Sequence, residues 1–238
     1  MTAPLRAAGG STSQAAARLL VLLDKLGQPP TPAELAWIPE AVAVVRSTSR
    51  LAKLDFWLRN PDYLADELLR DITDTSLDAA VGLPHVDRML AGDAPTLHLL
   101  PMQRYRFGAW ELPDNAMAVL KSHALVRTRR VSEPDAENAD RSRRDYFLTI
   151  DGAQVIGRMR AEVDQLSWYD AQADAIALLN VGTSGAAVKQ RQYEQPEYAS
   201  TPIGSLILPI LDRTRVRFAE TAAAHKYLPV HTSNRSGE

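Results

Sequence analysis

The sequence predicts a mainly α fold of α+β type: a helical N-terminal part, a central two-stranded ribbon and a short helical C-terminal part. Three observations carry this prediction. Apolar residues recur at the 3.6-residue spacing of amphipathic helices through much of residues 12–92. Leu125-Val126-Arg127-Thr128-Arg129-Arg130-Val131 then changes to a two-residue period, apolar against basic, as a half-buried strand requires. Residues 143–149 give the return strand, with Tyr146 and Leu148 on one face and Phe147 on the other.

Taken in order, residues 11–27 form the first helix. Leu19, Leu20, Leu22, Leu23 and Leu26 are its broad apolar face, and Gly27 is its stop. Thr31-Pro32-Ala33-Glu34 opens a second, with threonine as cap, proline in the first position and glutamate in the third. Pro39 breaks or kinks the chain beyond it. Residues 40–60 read as the longest helix, on Val42, Val45, Leu51, Leu54 and Leu58. Arg46, Arg50 and Lys53 fall three or four apart and would share one face, open either to a partner or to solvent. Asn60-Pro61 ends that helix, because the residue before proline resists helical geometry.

Residues 61–72 give another helix, with Leu64, Leu68 and Leu69 inward, and residues 76–81 continue more weakly. Pro84, Gly92, Pro95 and Pro101 then punctuate the pattern. Residues 112–123 resume it, with Ala116, Val119 and Leu120 on one side. After the ribbon, Thr149 and Asp151 are candidate caps of a helix reaching residue 163, and residues 168–179 supply one more. Ser184 is a candidate cap for a short helix carrying Val188 and Tyr193.

Composition narrows the function classes. At 45% hydrophobic residues in 238, a sizeable core is available. The formal net charge of -2 means that any nucleic-acid surface must be a local patch. Without cysteine there are no disulfides, thiolate metal sites or cysteine nucleophiles. No run of about 18 apolar residues occurs, so no membrane span is expected. The start, MTAPLRAAGGSTSQ, reads as a flexible leader and not a signal peptide, and a cytoplasmic location is expected.

The sequence around the ribbon carries a resemblance. His123-Ala124-Leu125-Val126 closes a helix into a strand, and Phe147-Leu148-Thr149-Ile150-Asp151-Gly152 closes the ribbon into the next helix. Together they resemble the winged-helix domains of prokaryotic DNA-binding proteins. That implies a division into a leader (1–11), a helical N-terminal region (12–92), a winged-helix domain (93–163), a helical C-terminal region (164–211) and a polar, partly disordered tail (212–238). The ribbon's flanks are basic, with Arg127, Arg129 and Arg130 on one strand, Arg143 and Arg144 on the other and Lys121 on the preceding helix. These six are the candidate DNA contacts. The loop between them, SEPDAENADRS, holds Glu133, Asp135, Glu137 and Asp140, which would repel phosphate. The flanks therefore either grip a backbone or are balanced by those carboxylates. The helix before the ribbon offers base edges only Asn115 and Lys121, so DNA contact is expected to be electrostatic and not sequence-specific.

Catalytic signatures are missing. None of His85, His98, His123, His225 and His231 has a metal-ligand companion at helical spacing. Gly182-Thr183-Ser184-Gly185 lacks the spacing of a phosphate-cradling loop, and no G-x-S-x-G, H-E-x-x-H or G-x-G-x-x-G is present. The expectation is a binding protein with no cofactor and no metal, not an enzyme.

Two further stretches resemble one family. Lys53, Leu54, Asp55, Phe56, Leu58, Arg59, Pro61 and Leu64 match a K-L-D-F-L-x-R-x-P-x-x-L pattern, and Gly185, Lys189 and Tyr193 match a later one. With the winged helix between them, they resemble the middle component of bacterial ABC-three-component systems, which include the Lamassu-type antiviral defence operons. Asn60 departs from the pattern's usually aromatic slot. The resemblance implies a non-catalytic subunit between an SMC-like ABC ATPase and an effector protein. Arg46, Arg50, Lys53 and Trp57 are the candidate partner contacts. Trp57 either lies on a partner surface or packs within its own chain. The alternative function is a winged-helix transcriptional regulator or antitoxin that binds DNA directly.

Overall fold

The structure is a computed structural model that describes residues 11–91, 104–105, 108–109, 114–132, 142–179, 195–202 and 204–230. Helix α1 (Thr12–Leu26) is its axis. A capping box fixes its start: the Ser11 hydroxyl accepts from the Gln14 amide, and the Gln14 side chain accepts from the Ser11 amide. Leu19, Leu20, Val21, Leu22 and Leu23 are all buried, so the helix is enclosed on every side. A second capping box, Thr31 with Glu34, opens the short α2 (Pro32–Leu35).

Residues 40–60 are not one helix. Strand β1 (Ala41–Arg46) comes first, and α3 (Thr48–Arg59) begins after a break at Ser47, whose φ is 77°. Val42 and Val45 fit helical spacing, but Ala41, Ala43 and Val45 fit strand spacing equally well. β-branched residues favour the strand once a partner strand is present. Ser47 then caps α3, its Oγ accepting from the Arg50 amide at 3.1 Å.

α3 is buried along its length, and the K-L-D-F-L-x-R pattern is core: Lys53, Leu54, Asp55, Phe56, Trp57, Leu58 and Arg59 are all buried. Asp55 accepts from Arg18 Nε of α1 and lies 3.6 Å from Arg59. The Arg59 pair is therefore an internal ion pair and not an exposed one. Burial opposes the charge on Arg18, yet Asp55 outweighs it and raises the guanidinium pKa above its ordinary value.

Helices α4 (Pro61–Thr73) and α5 (Ala79–Leu90) pack on one another. α5 runs through Pro84, despite the break in the sequence pattern there. Asp78 caps it, and Leu83, Val86, Met89 and Leu90 are buried. A two-residue hairpin, β2 (Arg104–Tyr105) with β3 (Gly108–Ala109), precedes α6 (Asp114–Ser122). In α6, Ala116, Met117 and Leu120 face inward while Val119 is 41% exposed, so Met117 takes the place expected of Val119.

The ribbon is present as β4 (Val126–Ser132) against β5 (Ser142–Thr149). It belongs to a three-stranded antiparallel sheet of order β1-β5-β4. With strands on both sides, β5 is buried continuously from Asp145 to Thr149. Helices α7 (Ile150–Glu162) and α8 (Leu166–Ala177) come next, then α9 (Pro196–Ser200) and α10 (Leu211–Ala224).

Two divisions drawn from sequence have no counterpart in the packing. β1 pairs with β5, and one hydrophobic core runs from Ala15 through Leu148 to Ala222, so the regions on either side of residue 92 share a sheet and a core. Residues 211–224 are not a polar tail. They form α10, which buries Thr214, Phe218 and Ala222 and lies on α4 and α5. Four polar residues of α4 hold α10 and the residues before it: Asp62 accepts from the Ile210 amide, Tyr63 donates to the Leu208 carbonyl, Asp66 meets Arg217, and Asp66 and Glu67 both accept from Gln195. Residues 1–10 of the expected leader (1–11), whose Ser11 instead caps α1, lie outside the described residues, as do the wing-loop acids, the Gly185-Lys189-Tyr193 pattern and residues 231–238.

Candidate nucleic-acid interface

The sequence motif at the ribbon's base has a physical basis. Ala124 adopts φ 57° to turn α6 into β4. The Thr149 hydroxyl donates to the carbonyls of Ala124 and Leu125, at 2.9 and 3.1 Å, and accepts from the Gly152 amide. One threonine thus caps α7 and ties it to that turn. A side chain at Gly152 would sit 2.3 Å from the Leu125 carbonyl oxygen, which only glycine avoids.

Register then sorts the ribbon arginines between two faces. Val126, Thr128, Arg130 and Ser132 stand opposite Leu148, Tyr146, Arg144 and Ser142. This face continues the main core at its base, through Val126, Tyr146 and Leu148. Arg127, Arg129 and Val131 stand opposite Phe147, Asp145 and Arg143 on the other face, where Phe147 forms a small second core with Ile38, Ala41 and Val44.

The second face is electrically satisfied. Arg127 Nε meets Glu40 at 3.1 Å. Arg143 Nε meets the buried Asp145 at 3.0 Å, and Asp145 also accepts from the Ser47 amide. Arg129 lies 4.5 Å over the ring of Trp37, which is itself 69% exposed. At the neighbouring end of β1, Arg46 meets Glu34 at 2.7 Å and Gln28 at 2.6 Å. Burial works to raise the Glu34 pKa, but hydrogen bonds from Arg46 and from the Thr31 backbone outweigh it and hold the carboxyl below its ordinary range. Glu40 is likewise lowered, through its own amide and Arg127.

The first face differs. Arg130 and Arg144 stand directly opposite each other, and among the described residues no carboxylate pairs with either. Like charges in that position repel. Together with Arg143, Ser142 and the turn Ser47-Thr48-Ser49, they line a shallow cleft of about 260 Å³. Thr48 Oγ1 lies 3.0 Å from the Tyr146 hydroxyl, and the Arg144 guanidinium acts on the same phenol as a nearby positive charge. Burial is the main reason that the Tyr146 pKa is raised, so it stays a neutral phenol. α3 begins at this cleft. As its first two residues, Thr48 and Ser49 have backbone amides with no partner inside the helix, and the helix dipole is positive at that end.

The sequence-predicted residues therefore divide. Arg130, Arg143 and Arg144 come together at the cleft, while Arg127 and Arg129 lie on the far face with partners of their own. Lys121 is exposed on the last turn of α6. Arg46, Arg50 and Lys53 do not form one helical stripe: Arg46 ends a strand, Arg50 sits half-buried in the first turn of α3 and Lys53 is 4% exposed. Trp57 is 2% exposed and packs inside its own chain. The exposed tryptophan is Trp37, and its place in a short turn just before Pro39 is the sequence signal for it. Ser47, Thr48 and Tyr146 join the site without any such signal.

The arrangement offers guanidinium groups, hydroxyls and backbone amides to an oxyanion. Among the described residues, no group of three or more histidines and carboxylates is placed to hold a metal, and no helix is long and apolar enough to cross a membrane. Compared with protein-family models, curated proteins and solved structures, the chain gives no match.

Proposed function

We propose that this chain is a non-catalytic accessory subunit that links an SMC-like ABC ATPase to an effector in an anti-phage or anti-plasmid defence complex, and that it contacts DNA phosphate through a winged helix. In this reading α1, β1, α6, β4 and β5 make up the winged helix, with α3, α4 and α5 between its first strand and its groove-facing helix. The carrying observation is the ribbon face on which Arg130 and Arg144 oppose each other without a carboxylate among the described residues. A pair of fixed cations beside a helix N-terminus suits a phosphate backbone. The outward residues of α6, Asp114, Asn115, Lys121 and Ser122, include few donors for base edges, which supports contact without sequence reading. The assignment of ATPase and effector as partners rests on the sequence resemblance.

Two measurements test this reading. Co-expression with the ATPase encoded beside it is expected to give a complex that survives size exclusion. Affinity of the purified chain for unrelated duplexes is expected to agree within a few-fold and to fall steeply with salt. A chain that runs alone and prefers one short palindrome by about a thousandfold, the span of a specific site, is instead a regulator.

A further inference from the structure

We infer that the cleft between the start of α3 and the ribbon is a built seat for a single phosphate group of a nucleic acid, and that Arg127 and Arg129 on the opposite ribbon face take no part. This deepens the proposed DNA contact and rests on it. Arg130 and Arg144 are cross-strand neighbours in a solvent-open cleft, and neither is matched to a carboxylate among the described residues. Arginines elsewhere on the chain, at 18, 46, 127, 143, 160 and 217, each meet one. An anion between Arg130 and Arg144 turns a repulsion into two attractions.

The rest of the lining fits an oxyanion. The hydroxyls of Ser49 and Ser142 and the amides of Thr48 and Ser49 border the same cleft. Thr48 is held against the Tyr146 hydroxyl, which limits its freedom before a ligand arrives. Asp145, the carboxylate closest in sequence, lies on the other face by register and is occupied by two residues that line the cleft, Arg143 and Ser47 through its amide. Asp114, at the start of α6, acts on Tyr146 through space, so Asp114 and Asp145 are the acids that an incoming phosphate would feel. Among the described residues no apolar side chain lines the cleft to hold a base, so the phosphate is recognised and the base is not. A phosphate of this kind is either internal to a strand or at a 5′ end.

The test compares the full-length chain with R130A/R144A and with R127A/R129A from the opposite face. Thermal unfolding with inorganic tripolyphosphate reads the seat alone. The melting temperature of the wild type and of R127A/R129A is expected to rise, and that of R130A/R144A to stay put. Binding to circular plasmid, to 5′-phosphorylated linear duplex and to 5′-hydroxyl duplex reads the DNA contact. R130A/R144A is expected to lower the salt slope by up to about two units, and R127A/R129A to leave it unchanged. Equal binding to all three DNAs assigns an internal phosphate, and a preference for the 5′-phosphorylated duplex assigns an end. If the wild type answers tripolyphosphate but no DNA, the DNA reading fails and the anion seat stands. If it binds DNA and both double variants lose equally, or R127A/R129A loses more, the seat is wrong and the DNA reading stands. R130K/R144K, which keeps the charge, is expected to retain part of the slope, and its complete loss would overturn the charge-based assignment.

Discussion

The two faces of the ribbon are made from the same two strands and carry similar arginine counts, yet they are chemically unlike. On one face each arginine is answered from within the chain: Arg127 by Glu40, Arg143 by Asp145 and Arg129 by the Trp37 ring. On the other, Arg130 and Arg144 stand opposite each other, with no carboxylate partner among the described residues, beside the open end of a helix. Satisfied charges hold structure, and unsatisfied ones store attraction for something outside. A basic ribbon is thus a poor predictor of a binding surface until register shows which cations are already paired.

The strongest way to break this comparison is at Asp145, which joins the satisfied face to the α3 turn. It is 1% exposed and accepts from Arg143 and from the Ser47 amide. D145A is expected to cost roughly 2–3 kcal/mol in denaturant unfolding, because it removes the acceptor of the Ser47 amide and the buried carboxylate that Arg143 meets. A cost below about 0.5 kcal/mol, on the order of a surface change, would show that the turn is not held this way.

A smaller effect is expected at Glu34, and it depends on pH. Its folded pKa lies below the ordinary 4.5, so its contribution is present above 4.5 and is lost as pH falls through the lowered folded value. E34Q should therefore be less stable than wild type at neutral pH, by about 0.5–1 kcal/mol, and the difference should shrink in acid. A gap that widens on acidification contradicts the assignment.

On the unsatisfied face the sign reverses. R144E places a carboxylate opposite Arg130 and is expected to stabilise the chain by roughly 0.2–1 kcal/mol while weakening phosphate binding. Loss of stability together with binding would mean that Arg144 serves the fold. The smallest effect belongs to R127A. The exposed pair with Glu40 should be worth at most about 0.5 kcal/mol, with no change in the salt slope of DNA binding.

How far each feature is legible in the sequence depends on how local its signal is. The ribbon is legible because residues 125–131 alternate apolar and basic side chains and residues 143–149 supply a return strand of the same length. Thr149 and Gly152 are legible because a cap and a close approach leave short-range marks. β1 is not, since Ala-Val-Ala-Val-Val satisfies both periods and only the presence of β5 decides between them. Of the two readings open for Trp57 the packed one holds, because it lies in a helix enclosed on all sides, whereas Trp37 sits in a turn with little to cover it. Residues 211–224 look polar because only Thr214, Phe218 and Ala222 of α10 are buried, and the rest of the seat is supplied by polar residues of α4. Which arginines are already paired is the least legible, because Glu40 is 87 residues from Arg127.

The most direct measurement is a titration of the isotopically labelled chain with a short duplex, read on backbone amide and arginine Nε–Hε resonances. The account predicts shifts at the Thr48 and Ser49 amides and at the Arg130 and Arg144 side chains, with Arg127 and Arg129 unmoved. Shifts at Arg127 and Arg129 over a silent cleft would contradict it.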